Sequence, residues 1–157
     1  IEEYMGLEKE YTGTLVIGYT TPSFDLETEI RDPRDISGIT ESQILEAAAG
    51  LRGVISQLPP AHSAIKVGGK RAYHFARKGK EVELQPRMVE ISHFEITSIR
   101  LPEIGFRIVC SKGTYIRSIA RDFGNALGVG AYLLHLCRTR IGPFLLSDAK
   151  KIEEVSL

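Results

Sequence analysis

The first regular pattern in the chain is an alternation. In residues 8–19, EKEYTGTLVIGY, the positions Tyr11, Gly13, Leu15, Ile17 and Tyr19 share one side of an extended strand. A polar stretch with two prolines, TTPSFDLETEIRDPRD (20–35), follows and predicts a loop. In ITESQILEAAAGLRG the apolar spacing then widens to helical: Ile44, Ala47, Ala48 and Leu51 form one stripe. Thr40 and Gln43 make a capping box at the start of this helix, and Gly53 closes it.

Pro59-Pro60 forces an extended entry into a segment without a core pattern, in which KRAYHFARKG predicts a short helix carrying Arg71, Tyr73, Phe75 and Arg77. Period two returns in VEISHFEITSI (89–99) and IGFRIVCS (104–111), two strands joined by a turn near Leu101-Pro102. Ile104, Phe106, Ile108 and Cys110 alternate in the second. TYIRSIARDFGNALG predicts a helix with Ile116, Ile119, Ala120, Phe123 and Leu127 inward, and AYLLHLCRTRIGPF (131–144) a last strand ended by Gly142-Pro143. Strands joined by hairpins or single helices predict an α+β domain: a mixed, largely antiparallel sheet with flanking helices. At the ends, IEEYMG reads as the finish of one helix and SDAKKIEEVSL as the start of another, so the sequence reads as a piece of a longer protein.

Composition adds bounds. At 157 residues, with 43% apolar and 25% charged residues, the chain has the make-up of one soluble domain. Neither a membrane span nor a secretory leader is visible, and two cysteines, Cys110 and Cys137, fit buried inert thiols in a reducing compartment. The expected location is the cytoplasm and the expected state a monomer. Net charge is zero but unevenly spread. Residues 1–35 hold nine acids and three bases, residues 59–80 six bases and no acid, and residues 106–121 four bases and no acid. A neutral chain with such segments presents a basic face, as expected of a polyanion binder.

Hydrolytic and metal chemistry find little support. His62, His74, His93 and His135 are scattered, and SKGT (111–114) lacks the glycine pattern of a phosphate loop. Asp25, Asp32, Asp35, Asp122 and Asp148 have no visible activator; solvation explains those near the acidic loop, and Asp122 beside Arg121 reads as a surface charge. The basic segment says more, because its cations are interleaved with Tyr73 and Phe75 between Pro-Pro and glycine-rich punctuation. Cations neutralise phosphates and aromatic faces stack on bases. In CSKGTYIRSIARDFG, Tyr115 and Arg117 stand two apart at a strand-to-helix turn. A planar, permanently charged guanidinium there suits a carboxylate or a phosphate.

KEYTGTLVIGYTTPSFD, QLPPAHSAIKVGGKRAYHFARKGKEVEL and RIVCSKGTYIRSIARDFGNALGVGAYLLHLCRTRIGPF, in this order, resemble the TruB family of tRNA pseudouridine synthases. The resemblance implies part of a pseudouridine synthase catalytic domain over residues 1–157, with 59–84 as a basic RNA-binding thumb. It implies a cofactor-free, metal-free isomerisation of the T-loop uridine of transfer RNA, reached by flipping the base out of its stack. Tyr11 matches the tyrosine that stacks on uracil and takes part in removing the C5 proton, and Leu136 the apolar residue on the other side of the base. Arg117 matches the arginine that pairs with the catalytic aspartate, and Tyr115 the tyrosine beside it. Lys66, Lys70, Arg71, Arg77, Lys78, Lys80 and Lys112 would contact RNA.

One departure matters. The family's nucleophilic aspartate lies in a G-x-L-D-P motif ahead of the K-x-Y strand, and these 157 residues contain no such motif. Asp25 belongs instead to a T-P-S-F-D loop, with Thr28 where the family has glycine. The expectation is a fragment of a synthase, inactive by itself. The alternative is a non-catalytic RNA-binding module that helps transfer RNA to fold.

Overall fold

The computed structural model describes residues 8–60, 66–67, 70–71 and 85–145. Its elements are β1 (Lys9–Ile17), α1 (Glu41–Gly50), β2 (Gly53–Gln57), β3 (Lys66–Val67), β4 (Lys70–Arg71), β5 (Arg87–Arg100), β6 (Glu103–Cys110), α2 (Ile116–Leu127), β7 (Ala131–Ile141) and β8 (Phe144–Leu145). Six strands form one sheet in the order β2-β5-β6-β1-β7-β8, and each described pairing is antiparallel. The α+β expectation holds, with no parallel pair among the described residues.

Register explains why the sheet has one apolar face. Tyr11 lies opposite Ile108, Gly13 opposite Phe106 and Leu15 opposite Ile104, while Ile108 and Phe106 lie opposite Phe94 and Ile96. Cross-strand partners point to the same side, so the alternating residues of β1, β5 and β6 merge into one buried surface. Both helices cover it: Ile44 and Ala48 of α1, and Ile116, Ile119, Ala120 and Phe123 of α2, are buried in the same core. Phe123 stacks on Phe94 with 5.8 Å between ring centres. Gly13 allows the closest packing, since a Cβ there would stand 2.2 Å from the His135 carbonyl oxygen and 2.8 Å from the Phe106 ring. The opposite face is polar: Arg107 reaches Glu10 at 2.9 Å and Glu95 at 3.1 Å.

The helix caps follow from sequence and the boundaries do so less well. Thr40 Oγ1 accepts from Gln43 N and Gln43 Oε1 accepts from Thr40 N, completing the predicted capping box. Gly53 does not close α1. The helix ends at Gly50, and Gly53, at φ +96°, starts the edge strand β2, which the sequence pattern did not separate from the helix. Lys70 and Arg71 are not helical either: they form β4, paired with β3 so that Lys66 lies opposite Arg71. The rest of that predicted helix, with Arg77, Lys78 and Lys80, lies outside the described residues, as do both predicted terminal helices. Tyr19 falls past the end of β1 and is exposed. Cys110 is buried, whereas Cys137 is only half-buried, because it lies opposite Thr12 on the polar face.

Candidate active site

Tyr11 sits on the apolar face of the central strand and is 2% exposed. A tyrosine buried this far needs a partner for its hydroxyl. It finds one on β7, where Arg138 lies directly opposite. Arg138 Nη2 donates to Tyr11 Oη at 3.3 Å, and its guanidinium carbon lies 5.5 Å from the ring centre. Burial raises the Tyr11 pKa above that of an ordinary phenol, while the charge and hydrogen bond of Arg138 pull it back. Leu136, two positions earlier on the same face of β7 and opposite Gly13, is buried beside them. Burial lowers the pKa of Lys9 at the start of this face, with Arg138 adding to the effect.

A second cluster is built at the start of α2, which packs against β7. Tyr115 is the N-cap residue, but its side chain makes no capping bond. Its backbone is held from outside: Gln57 Oε1 accepts from Tyr115 N at 2.8 Å, and Gln57 Nε2 donates to Tyr115 O at 3.1 Å. The Tyr115 ring is half-buried, which raises its pKa, opposed by the charges of Arg87 and Arg117. One helical position into α2, Arg117 is 8% exposed, and its Nη1 lies 3.7 Å from Asp25 Oδ2.

Asp25 is therefore no solvated loop charge, as composition suggested. Its Oδ1 accepts from Ser23 Oγ at 2.5 Å and from the Glu27 amide at 2.9 Å, leaving Oδ2 for Arg117. Thr28 tightens the same turn, lying 2.7 Å from Ser23 Oγ and accepting from Ser23 N at 3.0 Å. Phe24, just before Asp25, adopts φ +62°, a left-handed conformation that costs a non-glycine residue about 1 kcal/mol. Three contacts hold it there: a bond from its amide to Thr21 O, one from Leu133 N to its carbonyl, and Arg121 5.7 Å over its ring. The loop is thus shaped to present Asp25 to the helix.

The structure places Tyr11 and Leu136 together on one face of adjacent strands, and Tyr115 and Arg117 together at the helix that crosses β7. Lys112 is exposed in the turn before that helix. The backbone of Lys66, Lys70 and Arg71 is described only as a two-strand ladder. Sequence reasoning missed Asp25 as a partner of Arg117, Gln57 as the holder of Tyr115, and Arg138 as the partner of Tyr11. Each missed residue stood inside a block already noted, but only the fold shows what it touches.

A buried tyrosine bonded to a guanidinium, beside a buried leucine, offers a flat apolar surface with a fixed charge at its edge. Residues 1–116 match the family model described as TruB family pseudouridylate synthase, N-terminal domain. The chain belongs to the TruB family.

TruB-family relatives match across almost the whole chain. It is 50% identical to a tRNA pseudouridine synthase B of Phocaeicola vulgatus over 98% of this chain and 65% of that protein. It is likewise 50% identical to one of Flavobacterium johnsoniae, over all of this chain and 67% of that protein. The chain thus spans about two thirds of the length of these relatives. Among solved structures, a chain of a Cbf5–Nop10–Gar1 complex superposes with TM-score 0.63 at 28% identity, over 93% of this chain and 34% of that one. A chain of an H/ACA ribonucleoprotein bound to a substrate RNA containing 2′-deoxyuridine shares the fold, with TM-score 0.61 at 23% identity, over 94% of this chain and 32% of that one.

Proposed function

We propose that this TruB-family chain serves the isomerisation of uridine to pseudouridine in RNA, with the T arm of transfer RNA as target. The observation that carries the reading is the pairing of the buried Arg117, two residues after Tyr115 on the helix that packs against β7, with the half-buried Asp25 carboxylate. Uridine inside a folded arm is stacked, so the base must leave its stack, at a cost of a few kcal/mol that the pocket repays. Tyr11 and Leu136 supply the replacement walls, and Tyr115 borders the cleft. Arg117 supplies a permanent, planar positive charge suited to a carboxylate or a phosphate.

Asp25 has a positioning role in this reading, because Ser23, Glu27 and Arg117 already occupy its oxygens. The nucleophile is assigned to a G-x-L-D-P segment, which these 157 residues do not contain. By itself the chain is then inactive. The cations of 59–84 and Lys112 engage the RNA backbone, so affinity falls steeply with added salt.

The test is conversion of a T-arm stem–loop by the full-length protein. Arg117→Met is expected to abolish pseudouridine formation while RNA binding persists. Full activity of that variant would overturn the assignment. Binding by the isolated chain to a T arm, with no preference over an unrelated hairpin of equal length, would instead favour generic charge.

A further inference from the structure

Arg138 stands apart from the other described arginines that are at least half-buried. Arg107, Arg117, Arg121 and Arg140 each meet a carboxylate within ion-pair distance. Among the described residues Arg138 meets none. Its contacts are made with Tyr11 instead: the 3.3 Å bond to the phenol oxygen and the guanidinium 5.5 Å from the ring centre. Its Nε is buried with no acceptor among the described residues. A buried donor without an acceptor is costly and needs a reason. Keeping a cation free of carboxylates leaves its full charge for the one oxygen it touches.

We infer that Arg138 is a positioning residue for proton removal, its guanidinium holding the Tyr11 oxygen and supporting negative charge there as Tyr11 takes the C5 proton. The inference rests on the uridine-isomerising reading above. Once C5 has joined C1′, that carbon carries both the sugar and its hydrogen. The C5–H bond then breaks, its electron pair forms the C5–C6 double bond as the C6–N1 π pair returns to N1, and the proton passes to the Tyr11 phenolate. N1 takes a proton from solvent and Tyr11 later returns one to solvent, so the net change is an isomerisation with no oxidant or reductant. A neutral phenol is a poor base for this step, and an adjacent cation favours the charged form.

The other groups around Tyr11 do not supply that charge as directly. Cys110 on β6 carries a thiol that burial keeps protonated, with its pKa pushed up to about 11. Lys9, on Tyr11's own strand, has its pKa lowered by burial and by Arg138 and makes no hydrogen bond to the phenol among the described residues. Arg117 on α2 is turned to Asp25. Arg138 alone among them bonds the phenol oxygen.

The experiment is a tyrosine ring-carbon NMR titration of the full-length protein, with the Tyr11 signal identified by its loss in Tyr11→Phe. Arg138→Gln and Arg138→Met are expected to leave about tenfold less Tyr11 phenolate at a fixed alkaline pH, the effect of losing an opposite charge at contact. Arg138→Lys should restore most of it, with the Tyr132 signal unmoved. On a T-arm stem–loop the neutral variants should lower kcat with KM little changed. An unchanged Tyr11 titration in a folded neutral variant would overturn the inference, and two neutral variants of different shape guard against one that does not fold. If the unaltered protein fails to convert the stem–loop, the functional reading fails, while the titration still decides whether Arg138 governs the Tyr11 charge.

Discussion

Gln57 grips Tyr115 by both of its backbone polar groups, at 2.8 and 3.1 Å, from the end of a strand fifty-eight positions earlier in the chain. Gln57 is 1% exposed, so neither amide atom has water as a ready substitute. The neighbouring Leu58 carbonyl extends the grip, accepting from Ser118 Oγ and from Arg121 Nη2. Gln57→Ala would strand the Tyr115 N–H, while the Tyr115 carbonyl keeps its bonds from Ser118 N and Ile119 N, and an unmet buried group costs about 1–3 kcal/mol. The variant is expected to lose roughly 2 kcal/mol in urea unfolding and to lower kcat through a misplaced Tyr115. Native stability would show that the clasp is dispensable.

Removing the acid that faces Arg117 should cost more than neutralising it. Asp25→Ala removes two hydrogen bonds, from Ser23 Oγ and the Glu27 amide, and leaves the buried Arg117 guanidinium unpaired, a loss expected at about 2–3 kcal/mol. Asp25→Asn keeps an oxygen for Ser23 and the Glu27 amide and should lose less than half of that. Urea midpoints of the two variants check the order. Equal stability for both would mean that the loop is held by Phe24 and Arg121 instead.

Acid should weaken the polar face through Glu10. Its pKa is lowered chiefly by the hydrogen bond from Thr139, against desolvation, with Arg107 next in effect. A carboxyl depressed on folding contributes stability that is present above its ordinary value of 4.5 and lost as pH falls through the lower folded value. Glu10→Gln should therefore narrow the stability gap between about pH 7 and about pH 3, read from urea curves at each. An unaltered gap would exclude Glu10 as a contributor.

The two thiols should react in a fixed order. Cys110 is buried and its pKa is pushed up to about 11, chiefly by desolvation, so little thiolate forms near neutrality. Cys137 is half-buried, with its sulfur 3.5 Å from His135 Nε2. Iodoacetamide under native conditions is expected to label Cys137 first and Cys110 only on unfolding, as peptide mapping would show. Because the Cys110 pKa is raised on folding, its contribution to stability is present below the ordinary thiol value of 9.0 and lost as pH climbs toward 11.

The sequence by itself determined what depends on local period and local bonding. Alternation in β1 and β6 predicted their inward faces, from Tyr11, Leu15 and Ile17 to Ile104, Phe106 and Ile108. Helical spacing predicted the buried sides of both helices, and the Thr40–Gln43 box marked where α1 begins. Such features follow from neighbours within a few residues, so chain order contains them. Short elements were less legible: β2, β4 and β8 have at most five residues, too few for a period to separate strand from helix or turn.

Only the tertiary structure decided the partners. Arg138 faces Tyr11 because a register shift between Glu10 and Tyr11 sets β7 against β1 in that alignment. Asp25 reaches Arg117 because Phe24 takes a left-handed turn under Arg121, and Gln57 reaches Tyr115 because β2 ends beside the start of α2. Composition assigned Asp25 to solvent, since an acidic, proline-containing loop is usually hydrated, and nothing local foretold its buried cation. Burial and charge pairing arise from segments distant in sequence, and the strength of each interaction depends on the water that the whole fold excludes.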